Sequence, residues 1–162
     1  MINILPLIAK SENWQVIQFN TPREFISMVN SVAKLTISHT PKFRANKLCV
    51  NIRFVNQRYI QHLNKKYRGK DKATNVLSFP ADGLPDEFIG VTRELGDIYI
   101  CMDVINQEAV EQNKAIIDHL AHMVVHGMLH LMGYDHEVES DAVKMEHKEK
   151  FILAKLGIED PY

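Results

Sequence analysis

Five of the eight histidines in this chain fall between positions 119 and 136: His119, His122, His126, His130 and His136. On a helix, side chains four apart project from one face. His126 and His130 can therefore share one metal ion. Gly133 would stop such a helix, because glycine takes the left-handed cap conformation at little cost. The chain then turns back, and His136 can supply a third nitrogen. Three neutral imidazoles around an open fourth position are the donor set of a catalytic zinc, one per chain. A structural zinc closes the fourth position with cysteine or histidine. His122 and His126 share the same spacing, but only the 126/130 pair places the glycine turn and the third histidine correctly. His119 and His122 then become residues behind the metal, substrate-facing residues or plain structural ones. Met128, Leu129, Leu131 and Met132 are core residues that need no cofactor to explain them.

The ligand and glycine spacing H-x3-H-x2-G-x2-H is that of metzincin zinc proteases. Those enzymes carry glutamate directly after the first histidine, as general base. This chain has Gly127 there, and a glycine cannot take a proton. After His136 the sequence runs on as helix, with no tight turn to place a methionine beneath the metal. The protease pattern keeps its metal and loses its base.

A second group with chemical potential lies upstream. Asn64-Lys-Lys-Tyr-Arg-Gly-Lys-Asp-Lys72 holds the cations Lys65, Lys66, Arg68, Lys70 and Lys72 against one acid. Arg68 can grip two phosphate oxygens at once. The lysines can track a nucleic-acid backbone, and Tyr67 is either a packed ring or a stacking surface for an unpaired base. On composition alone the segment equally describes a solvated loop.

These residues need elements to hold them. Thr21-Pro22 starts a helix, with Thr21 as N-cap, running to about His39. Leu48, Val50, Ile52 and Phe54 alternate with more polar positions and form a strand with one apolar face. Asn56 caps a second helix, Val76 to Phe79 is a short buried strand, and residues 81 to 93 are a long loop. Leu95 to Met102 is another strand. Helical periods follow near 103–113, 117–132 and 138–156. Strands early and helices late predict an α+β domain: a small mixed β-sheet with several helices packed on it, the zinc site at a helix end and the following turn.

The whole chain, residues 1–162, is expected to be a single metal-dependent hydrolase domain. Apolar residues make up 46% and charged residues 24% of it, an ordinary globular balance. Net charge is −1, so any nucleic-acid affinity must come from a local patch. Cys49 and Cys101 read as buried thiols, and no C-x-x-C motif offers them to zinc. The N-terminal ten residues lack a basic segment ahead of their apolar run and do not resemble a signal peptide. No stretch approaches a membrane span. A cytoplasmic protein is expected, with no membrane partner.

Two segments together resemble a known family. His126-Gly-Met-Leu-His-Leu-Met-Gly-Tyr-Asp-His136 is similar to the signature of the YbeY endoribonucleases, and Tyr67-Arg-Gly-Lys-Asp-Lys-Ala-Thr-Asn-Val-Leu-Ser-Phe-Pro80 to that family's second block. Leu95-Gly-Asp-Ile98 resembles a third block, and Met145 to Gly157 the closing helix. The likeness covers roughly residues 48 to 160, with order and separation preserved. It implies a zinc-dependent endoribonuclease specific for single strands. Such proteins act in ribosomal RNA maturation, notably at the 3′ end of the small-subunit RNA, and in ribosome quality control. Single-stranded RNA, ribosomal RNA and the small ribosomal subunit are thus the expected partners, and DNA is not. The resemblance assigns metal ligation to His126, His130 and His136 and a catalytic role to Arg68. Lys65, Lys66, Tyr67, Lys70 and Lys72 would bind substrate. Asp135, Asp97 and Asp118 are candidates for a general base. Attack by water or by the 2′-hydroxyl both remain open. Two other readings stand beside it: a metzincin-like zinc protease, and a non-catalytic ribosome-associated RNA-binding protein with a structural zinc.

Overall fold

The computed structural model describes residues 21–40, 47–81 and 92–162. Its elements run α1 (Pro22–Ser38), β1 (Lys47–Phe54), α2 (Gln57–Arg68), β2 (Val76–Pro80), β3 (Thr92–Ile100), α3 (Met102–Glu111), α4 (Ile116–Leu131) and α5 (Glu139–Lys155). The predicted caps are in place. Thr21 Oγ1 accepts from the Glu24 amide with Pro22 in the first turn, and Asn56 accepts from the Tyr59 amide.

The three strands lie in the order β1-β3-β2. β1 pairs parallel with β3, and β2 pairs antiparallel with it, so the sheet is mixed as expected. Leu48, Val50, Ile52 and Phe54 are all buried, as the alternation requires. β3 begins at Thr92, ahead of the predicted Leu95. The reason is a bulge: Cys49 faces Glu94 while Val50 faces Gly96, which leaves Leu95 as the extra residue. That irregularity breaks the period-2 pattern and hides the strand's first turns from a sequence reading. The rest of the predicted 81–93 loop, apart from Ala81, and the N-terminal segment lie outside the described residues.

α4 is the element around which the core forms. Leu120, Val124, Val125, Met128 and Leu129 are fully enclosed, and the helix packs against α1, α3, α5 and the sheet. A second, smaller cluster of Ile60, Leu63, Leu77 and Cys101 seats α2 on the opposite side. The basic segment is therefore not all loop: Lys65, Lys66 and Arg68 form the last turn of α2, held by buried Leu63 and Asn64 and ended at Gly69 in the left-handed conformation. Cys101 is buried and Cys49 half-buried, both as free thiols.

Candidate metal centre

α4 ends in a Schellman motif. The Tyr134 amide donates to the Leu129 carbonyl and the Gly133 amide to the His130 carbonyl, with Gly133 at φ 86°. The reversal carries residues 134–136 back over the last turn of the helix. His126, His130 and His136 thereby converge, with one nitrogen from each lying within 4.8 Å of the others. Neither His119 nor His122 belongs to the group.

The hydrogen bonds fix which nitrogens face inward. His126 Nδ1 lies 2.7 Å from Glu149 Oε1, and His130 Nδ1 lies 3.1 Å from the Tyr134 carbonyl. A carbonyl and a carboxylate only accept, so both Nδ1 atoms must carry the proton. With both rings neutral, both Nε2 atoms are bare, and they stand 3.1 Å apart. Two lone pairs at that distance repel unless a proton or a metal cation lies between them. This donor set fits a zinc-type ion, with Glu149 and the Tyr134 carbonyl orienting the ligands from behind. Burial, followed by the neighbouring His126 and His136, pushes the His130 pKa down to about 4. The ring is therefore a neutral donor at neutral pH, as ligation requires.

Glu149 is fully buried on α5. Burial raises its pKa, but the His122, His126 and Tyr162 groups around it outweigh that and bring it to about 2. The carboxylate is ionised at neutral pH. The Tyr162 hydroxyl donates to its second oxygen, and His122 Nε2 stands 3.5 Å from the same atom. Burial, then the hydrogen bond to this anion, holds the Tyr162 phenol well above its usual range. His119 instead pairs with Glu108 at 2.7 Å. Both extra histidines are thus supporting residues.

Gly127 has a packing reason. A Cβ there would lie 3.0 Å from both Ile98 Cγ2 and Ser78 Oγ. The position next to the first ligand faces the sheet, so no base fits at it. Ser78 Oγ donates to the Gly127 carbonyl at 3.2 Å, while Arg68 Nη2 donates to the Ser78 carbonyl at 3.3 Å. Arg68 is thereby tied, through one residue of β2, to the peptide beside His126.

The family model described as "Endoribonuclease YbeY" matches residues 10–157. The chain belongs to the YbeY family. A relative named "Endoribonuclease YbeY" from Alteromonas mediterranea is 55% identical over 113 residues, 70% of each chain. One of the same name from Methylocella silvestris is 41% identical over 159 residues, 98% of this chain and 85% of its own. Among solved structures, that of a Thermotoga maritima protein superposes with a TM-score of 0.57 at 27% identity, covering 96% of this chain and 89% of that one.

The other predicted residues of the chain separate. Lys65 is bound to Asp71 at 2.6 Å, and that contact, with help from Gln61, holds the Asp71 carboxyl below its usual range. Lys66 lies 5.0 Å from the centre of the Tyr67 ring, and Lys70, Lys72 and Tyr67 are exposed. Of the three aspartates, Asp135 sits beside the triad, its side chain accepting from the His136 amide. Asp97 pairs with Arg53 on the sheet face away from α4, and Asp118 lies in the first turn of α4, two turns before His126. Glu149 was not anticipated. Its signal is present: it lies in the stripe Met145, Glu149, Ile152, Leu153, a carboxylate in an otherwise apolar face.

Proposed function

We propose that this chain is a zinc-dependent endoribonuclease specific for single strands, acting in maturation of the small-subunit ribosomal RNA 3′ end and in ribosome quality control. The observation that carries the metal half is the pair of bare Nε2 atoms 3.1 Å apart, with His136 completing an open three-nitrogen set. RNA as substrate rests on family membership and on the endoribonuclease names of the relatives.

His126, His130 and His136 would hold the ion, which supplies Lewis-acid activation of water and of the scissile phosphate. Glu149 fixes the His126 ring and strengthens it as a donor. Arg68, anchored on β2, offers its guanidinium to the oxygens on which charge builds during phosphoryl transfer. Lys66, Lys70 and Lys72 attract the backbone, with Lys65 shared with Asp71, and Tyr67 offers an exposed ring. Of the three candidate bases, Asp135 is the one next to a ligand in the chain, accepting from the His136 amide, and it would take the proton. No helix among the described residues is long and apolar enough to cross a membrane, and the cytoplasm, where ribosomal RNA matures, is the proposed location.

The test combines cleavage assays with metal analysis. Zinc-loaded protein should cut labelled single-stranded RNA, leave casein intact, and stop on addition of chelator. Arg68→Ala should keep its zinc and lose activity by about tenfold or more. Cleavage of casein alone would reinstate the protease reading. Loss of zinc in Arg68→Ala would make Arg68 structural.

A further inference from the structure

The two faces of the sheet are covered unequally. The face towards α4 and α1 is sealed by the main core. Among the described residues the other is covered by α2 through Ile60, Leu63, Leu77 and Cys101, with Phe79 and Tyr99 packed part-buried against that cluster. That face carries Asn51, Arg53, Asp97, Tyr99 and Phe79, all half-exposed. Register puts them side by side: Arg53 opposite Tyr99, Tyr99 opposite Leu77, and Asp97 opposite Phe79.

Four aromatic rings form a continuous row here. Tyr59 of α2 lies stacked against Tyr99 with centroids 6.1 Å apart, Tyr99 meets Phe79 at 5.7 Å, and Phe79 meets Tyr67 at 5.1 Å. A hydrophobic cluster alone would bury its ends. Instead the terminal rings remain open, Tyr59 at 47% and Tyr67 at 55% exposure. Cations border the row. The Arg53 guanidinium carbon is 5.7 Å from the Tyr99 ring centre, and Lys66 Nζ is 5.0 Å from that of Tyr67. Two carboxylates lie on this face: Asp97 is held by Arg53 at 3.4 Å, and Glu94 accepts from Asn51 at 3.4 Å. The row has a direction as well. Tyr67 immediately precedes Arg68, which is tied through Ser78 to the helix that bears the metal ligands. Its Tyr67 end therefore adjoins Arg68 beside the edge strand β2, and the row leads away from there across the sheet.

Exposed tyrosines bordered by cations suit unpaired nucleobases and the phosphates that join them; a duplex keeps its bases stacked inside and cannot offer them. We propose that Tyr59, Tyr99, Phe79 and Tyr67, with Arg53 and Lys66, form a stacking platform. It holds the nucleotides of a single-stranded RNA that flank the phosphate at the metal centre. This rests on the reading of the chain as an RNA-cutting enzyme and adds the path of the strand. It also gives a physical origin for single-strand preference.

The test uses the zinc-loaded full chain, Tyr59→Ala, and a single-stranded RNA with several nucleotides on each side of its cleavage site. A second RNA carries abasic residues at the flanking positions. Tyr59 is exposed, so its removal spares the core, and circular dichroism and zinc content check this. Binding of the native RNA should weaken about fivefold or more, the effect of losing one stacked base. The abasic RNA should bind wild type more weakly and show no further loss in Tyr59→Ala. Photo-cross-linking from 4-thiouridine at those positions should label peptides containing Tyr59 or Tyr99. Unchanged affinity in Tyr59→Ala, while wild type still cuts the RNA, overturns the platform and leaves the nuclease reading intact. Equal losses on native and abasic RNA also overturn it, because the role would then be structural. A wild type that neither binds nor cuts RNA overturns both.

Discussion

Glu149 shows how one buried charge organises a site. An uncompensated carboxylate at full burial costs several kcal/mol (roughly, after relaxation) and would simply take up a proton. Here it stays ionised because His126 and Tyr162 donate to it. The anion in turn obliges His126 to keep its proton on Nδ1 and to present Nε2 forward. Glu149→Gln retains an oxygen for His126 but loses the charge. Zinc affinity should fall about ten- to hundredfold, measured by competition with a chelating dye, with the fold unchanged by circular dichroism. Unaltered affinity would reduce Glu149 to a packing residue. The same residues set an acid limit on the metal-free protein. His130 titrates at about 4 when folded against an ordinary 6.5, so between those values the unfolded chain binds more protons. Glu149, at about 2 against an ordinary 4.5, extends the effect downward. Stability in chelator should therefore be greatest above pH 6.5 and fall as pH is lowered through 4 towards 2. Thermal melts across that range check the sign, and a melting temperature that rises on acidification would contradict it.

At the scale of elements, glycines mark where strand and helix approach or reverse, and they divide by cause. Gly133 stands at φ 86° with nothing within 4 Å of a Cβ, whereas a Cβ on Gly96 would lie 2.1 Å from the Phe79 carbonyl oxygen at φ 130°. Gly133→Ala should cost only the conformational penalty, about 1–2 kcal/mol, while Gly96→Ala should cost more, because β2 must also move off β3. Urea denaturation of the two variants ranks them, and equal costs would show that the β2–β3 approach yields freely. Gly133 was legible in the sequence because it follows a helical period and precedes a ligand. Gly96 was not, since its role depends on a bulge set by pairing with β1. The same division runs through the site. The histidine triad lies close along the chain, so spacing alone brings it together. Glu149 follows His126 by 23 residues and reaches it through the packing of α5 on α4, and Tyr162, beyond α5, folds back to donate to Glu149. Local periodicity carries no record of such distant contacts. Arg68 lies between these cases: the family likeness singled it out, but its tether to Ser78 depends on β2 lying beside α2.

At the scale of the molecule, a net charge of −1 gives no general attraction to a polyanion, so affinity must be local and modest. The structure changes which cations count. Lys65 is spent on Asp71 at 2.6 Å, and removing it would leave that carboxylate facing the substrate. Among the described residues Lys66, Lys70 and Lys72 form no ion pair, and they are exposed at the end of α2 and the turn beyond it. Each phosphate they neutralise releases counterions from the strand, and for single strands the slope of log affinity against log salt changes by about 0.7 per contact. Neutralising these three lysines should therefore flatten that slope by about 2 and weaken binding to all RNA sequences alike. Lys65→Gln alone should change it much less, because the salt bridge already offsets that charge. Isotherms at several salt concentrations separate the cases. A triple variant with the wild-type slope would place the RNA backbone away from this patch. A Lys65→Gln variant with the largest single effect would show that the contact with Asp71 breaks when RNA binds.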